Sequence, residues 1–255
     1  DNQGWAPETG AGKGLMSESY ETGWYGKLPA HGDFVTRRLP PSFIEPWDAW
    51  LNKMLLGSRQ RLGAGWRDAF LSAPAWRFVL APGVLGDQGW AGVILPSVDS
   101  VGRFFPLTVA SALPSKSLDP VTTVVRAHNW YAEVEPVAHA ALAPEAEMET
   151  FDAQLRNRRF PDELIAVPEN TEETVPPHGR KQRALWIPLG TDFQGEAGLR
   201  GLAKPLAEPY SAWLAEESEI FGRSLMLCEK LPAVEQFCAM LNGEWSARPG
   251  ERSSA

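Results

Sequence analysis

Trp76-Arg77-Phe78-Val79-Leu80, the turn Gly86-Asp87-Gln88-Gly89 and Trp90-Ala91-Gly92-Val93-Ile94-Leu95 are the stretch on which the fold turns. Both outer runs are compact and β-type, and Pro74 and Pro82 bound the first. Phe104 to Leu113 adds a third run of near-continuous apolar character. Such runs suit strands covered on both faces. The tight turns between Trp76 and Leu113 make part of the sheet antiparallel.

Working outward, Trp24 to Leu28, Ala184 to Leu189 and Ser224 to Cys228 also read as strands. Pro40-Pro41-Ser42 opens a helix. In it Phe43, Trp47, Trp50, Leu51, Met54 and Leu55 recur at spacings of three and four, which makes one apolar face. Gly57, Gly63 and Gly65 weaken its far end, and a shorter helix covers Trp66 to Leu71. Asp119-Pro120 is a helix start, with Asp at the cap and Pro in the first turn. Pro136 is expected to kink or divide the helix that follows. Lys204 to Glu216 and Ala233 to Leu241 read as two further helices. The alternation predicts a layered α/β fold, with a central mixed, partly antiparallel sheet flanked by helices on both faces.

Residues 1–22 read as a flexible leader that need not all be native, with Met16 as an internal start. A single domain is expected over 23–245, dense in motifs over 23–113. The Pro-rich segment 167–180 is expected to form a mobile loop, and 246–255 a flexible tail.

Composition excludes several classes of function. A formal charge of −8 argues against a nucleic-acid surface, which needs clustered Lys and Arg. The basic spots at Arg37-Arg38, Arg156 to Arg159 and Arg180 to Arg183 read as solvated surface. No apolar run approaches the roughly 18 residues of a membrane span. Cys228 and Cys238 form neither a disulfide framework nor a zinc site, so reduced thiols and a cytoplasmic setting are expected. Gly10-Ala11-Gly12-Lys13-Gly14 lacks the spacing of a phosphate loop. His128 and His139 would lie roughly 16 Å apart along a helix, too far to share one metal ion. No cofactor is expected.

The chemistry concentrates in two polar loops. Gly23-Trp24-Tyr25-Gly26-Lys27-Leu28-Pro29-Ala30-His31-Gly32-Asp33-Phe34-Val35 carries Lys27, His31 and Asp33. Pro96-Ser97-Val98-Asp99-Ser100-Val101-Gly102-Arg103-Phe104-Phe105-Pro106-Leu107 carries Ser97, Asp99 and Arg103. If the loops are neighbours, two acids and two bases can pair and fix their shapes. Loops pinned in that way present a fixed surface to a partner. A hydrolytic triad of Ser97, His31 and Asp33 or Asp99 is the competing reading, but no Gly-x-Ser-x-Gly elbow surrounds Ser97.

These two runs, with Pro46-Trp47-Asp48-Ala49-Trp50-Leu51, Ala75-Trp76-Arg77-Phe78 and Trp90-Ala91-Gly92-Val93 in the same order, resemble the TagF (ImpM) family. The resemblance is dense from Gly23 to about Leu113 and resumes around Ser224 to Leu241. It implies an accessory protein of the bacterial type VI secretion system that represses secretion after translation. It also implies a link to Fha, a forkhead-associated scaffold that promotes assembly of the apparatus. On that resemblance the chain would act by binding, not by catalysis. The alternatives are a small hydrolase using the same loops and a structural subunit of the apparatus.

Overall fold

The computed structural model describes residues 21–114, 117–167, 184–189, 209–218 and 221–245. Its centre is an eight-stranded sheet. In chain order the strands are β1 (Gly23–Gly26), β2 (Val35–Arg37), β3 (Trp76–Leu80), β4 (Gly89–Leu95), β5 (Leu107–Leu113), β6 (Ala184–Pro188), β7 (Tyr210–Ala215) and β8 (Ser224–Glu229). They lie side by side as β2-β1-β5-β4-β3-β7-β8-β6. Every pairing among them is antiparallel.

Among the described residues, six α-helices cover the sheet: α1 (Pro41–Leu62), α2 (Trp66–Ser72), α3 (Pro120–Arg126), α4 (His128–Ala140), α5 (Met148–Arg156) and α6 (Val234–Asn242). The twofold alternation of strand side chains divides the interior between two cores. Trp76, Phe78 and Leu80 of β3, with Trp90 and Ile94 of β4, meet Phe43, Trp47, Trp50, Leu51 and Met54 of α1 and Phe237 and Met240 of α6. Val79 of β3, with Ala91, Val93 and Leu95 of β4, faces Val121, Val124, Tyr131 and Val134 of α3 and α4 and Phe151 and Leu155 of α5. Helices therefore lie on both faces, as the layered reading requires.

The α1 face is the one its spacing predicts. Trp47 donates its indole N–H to Thr108 at 2.9 Å, and Trp50 donates to the Pro232 carbonyl at 2.8 Å. Asp119 caps α3 as expected and accepts from the Val121 N–H. Three expectations are corrected. Tyr210–Ala215 is a strand, not the end of a helix, because β3 and β8 enclose it on either side. Pro136 lies inside α4 without dividing it; the break falls at Ala127, between α3 and α4. Arg38 is not solvated surface but points its guanidinium at a buried acid. Residues 1–20 of the 1–22 leader, residues 168–180 of the 167–180 segment, the whole basic spot at 180–183 and the tail at 246–255 lie outside the described residues.

Candidate functional site

The two loops are neighbours, which is the condition under which their charges can pair. β1 lies against β5, so the loop after β1 meets the loop between β4 and β5. Gly26 makes the approach possible. Its φ is +143°, and a Cβ there would stand 2.2 Å from the Pro106 carbonyl oxygen.

Asp99 is the hub. Its buried carboxylate accepts from Lys27 Nζ at 2.7 Å and from Arg103 Nε at 2.6 Å on one oxygen. The other oxygen accepts from the Arg103 N–H at 2.8 Å and the Val101 N–H at 3.1 Å. Burial by itself would raise this carboxyl. The donors from Lys27, Arg103 and Val101 outweigh it and hold the group well below the usual carboxylate range. Lys27 is buried as well and lies 4.8 Å from the centre of the Phe34 ring. Backbone bonds tie the loops further: Ser100 N–H donates to the His31 carbonyl, and Phe105 N–H to that of Ser97.

The six candidate residues separate into interior and surface. Lys27, Ser97 and Asp99 are buried and brace the loops. Ser97 donates its hydroxyl to the Lys27 carbonyl at 2.7 Å, so it is turned into the fold and away from the surface position a triad nucleophile needs. His31 is half-buried. Arg103 is exposed; it donates to the Gly32 carbonyl and stands 3.8 Å from Asp33. The Asp33 side chain is 99% exposed.

Sequence reasoning missed several contributors here. Phe34 is 48% exposed, stacks on Tyr25 and meets the Phe105 ring at nearly a right angle. Val101 is 68% exposed at the tip of the second loop. Tyr25 donates its hydroxyl to Asp48 at 2.5 Å; burial first, and then this carboxylate, raise the phenol far above its ordinary range. The available signal for Phe34 was an aromatic directly after Gly32-Asp33 and directly before the strand Val35–Arg37. Val101 offered none, since a lone valine beside a glycine reads as a turn.

A second hub sits on α5. Asp152 accepts from the Trp24 indole at 2.8 Å, from Arg38 Nη1 at 2.7 and 2.8 Å, and from Arg156 at 3.2 Å. Burial would raise it, but the hydrogen bonds from Trp24, Arg38 and Arg156, together with the Arg38 charge, lower it. Arg38 adopts φ 59°, and Arg158 reaches Glu133 at 2.5 Å. The basic spots at 37–38 and 156–159 thus contain structural ion pairs. On α4, His139 stands 4.0 Å from Glu135. No three His, Cys, Asp or Glu side chains converge on a metal position among the described residues. Among them, too, no helix is long and apolar enough to cross a membrane. Both cysteines are buried free thiols, and burial pushes both up.

A three-layer α/β fold carrying two charge-locked loops at one end of its sheet is the class of molecule these observations define. Residues 23–158 match the model of the TagF N-terminal domain, described as type VI secretion system-associated. A solved structure, that of PA0076 from Pseudomonas aeruginosa PAO1, is 38% identical; the match covers 89% of this chain and 97% of that one, with a TM-score of 0.68. No curated protein matches. The chain belongs to the TagF family of type VI secretion system-associated proteins.

Proposed function

We propose that this protein is a negative regulator of type VI secretion that acts after translation by binding a partner, the Fha-type scaffold, and that it turns over no substrate of its own. The observation that carries the reading is the division of labour in the loop pair. Buried Lys27 and Asp99 lock the backbone, while Asp33, Phe34, Val101 and Arg103 stand at the surface. A surface fixed before binding loses little entropy on docking. Repression then follows from mass action: each scaffold molecule held by the regulator is withdrawn from assembly.

The same geometry disfavours the hydrolase alternative, because Ser97 spends its hydroxyl on the Lys27 carbonyl. The test is affinity capture from bacterial lysate with the wild-type chain, Asp33→Ala and Val101→Asp. Both substitutions are at exposed side chains, so the fold should hold. Recovery of the Fha-type scaffold by wild type, with loss on either substitution, is the expected result. Equal recovery by stably folded variants refutes the loop surface; recovery of assembled sheath or membrane complex instead would make the protein a structural subunit.

A further inference from the structure

The arginines of α1 and α2 behave in two ways. Arg61 reaches Glu235 of α6 at 3.0 Å. Arg59 and Arg67 have no carboxylate within ion-pair distance among the described residues. Each guanidinium lies over an aromatic ring instead, Arg59 at 4.4 Å from the centre of Trp66 and Arg67 at 5.7 Å from that of Phe104. Those two rings meet edge to face at 5.5 Å. The pair therefore stands on a single aromatic platform. Asp68 adjoins Arg67 in sequence, but successive side chains on a helix point apart.

Two exposed leucines complete the patch. Leu56 is 62% exposed and precedes Arg59 by three positions; Leu71 is 46% exposed and follows Arg67 by four. At those spacings each leucine shares a helix face with its arginine. Phe104 follows Arg103 directly, so the platform runs on into the second loop. On a chain with an excess of acids, two uncompensated guanidiniums beside two exposed leucines are a charge pattern awaiting its complement.

We infer that this platform receives an acidic protein segment that also carries apolar side chains. Its carboxylates pair with Arg59 and Arg67, and its apolar groups cover Leu56 and Leu71. Contact with the Trp66 and Phe104 rings restrains each guanidinium, which favours fork-to-fork pairing with a carboxylate. The inference rests on the reading of the chain as a protein binder, but not on which protein it binds.

The experiment is a fluorescence anisotropy titration of the full chain with a labelled synthetic peptide of glutamates interspersed with leucines. Its twin has glutamine at every glutamate. Arg59→Gln/Arg67→Gln keeps much of each side chain's packing stem while removing the charge. Wild type should bind the glutamate peptide, with about tenfold weaker binding for the glutamine twin and for the double variant, and binding should weaken as salt rises. No binding by wild type, equal binding of the twin, or unchanged binding by the double variant would overturn the inference. So would tighter binding of a single-stranded oligonucleotide at the same arginines, which would make the ligand phosphate. Scaffold capture reports separately on the loop surface: its failure alongside a positive titration sinks the loop reading and spares the platform, and the reverse pattern sinks the platform alone.

Discussion

At the scale of single residues, the locked loops depend on Asp99. It is a buried carboxylate with four donors around it, and Lys27 is a buried ammonium that it neutralises. Removing one partner of such a pair strands the other charge in the interior, at a cost of about 3–5 kcal/mol. Asp99→Ala should therefore lower the stability to urea by about that amount. Lys27→Met should cost less, because Arg103 still serves Asp99; equal losses would show that Arg103 contributes nothing. The depressed carboxyl also sets a pH dependence. Its folded pKa lies below the unfolded value of about 4, so its stabilisation is complete above that pH and is lost as acid carries the pH down through the folded pKa. Below about pH 4 the stability of wild type should fall more steeply than that of Asp99→Asn, read from chemical denaturation at stepped pH. Parallel slopes would mean that Asp99 titrates normally.

At the scale of elements, the face of α1 is the clearest case of a helix specified by spacing. Trp47 is fully buried among Phe43, Trp50, Phe78 and Trp213. Trp47→Ala or Trp50→Ala should cost roughly 3–5 kcal/mol, and an unmoved melting temperature for either would contradict the packing described. β3, β4 and β5 were legible because long β-type runs bounded by proline or turns admit little else. β7 was not. Tyr210, Ala212 and Leu214 face one core and Trp213 and Ala215 the other, so apolar residues stand on both faces and only Ser211 hints at a period of two. The neighbouring Ala, Leu and Glu then favour a helix on propensity alone. α5 was missed because a short run, Met148, Phe151 and Leu155, marks its apolar side; Asp152, next to Phe151, is buried by its arginines and not by hydrophobicity. In the site, the residue types and the two loops could be read from the chain. The pairing of Lys27 with Asp99 could not, because it depends on β1 lying beside β5, a contact between distant segments that no local pattern encodes.

At the scale of the whole molecule, the sheet is a platform with chemistry at its loops. Two aromatic-rich cores hold it from both faces, and that rigidity reaches the loop pair through β1, β4 and β5. A protein built in this way suits stoichiometric holding of a partner, in which the effect scales with the amount of regulator and its affinity. The most direct test is isothermal titration of the purified chain against the purified Fha-type scaffold. The account predicts saturable binding at fixed stoichiometry, and binding at least about tenfold weaker for Asp33→Ala/Arg103→Ala. Affinity for the folded double variant equal to that of wild type would contradict it.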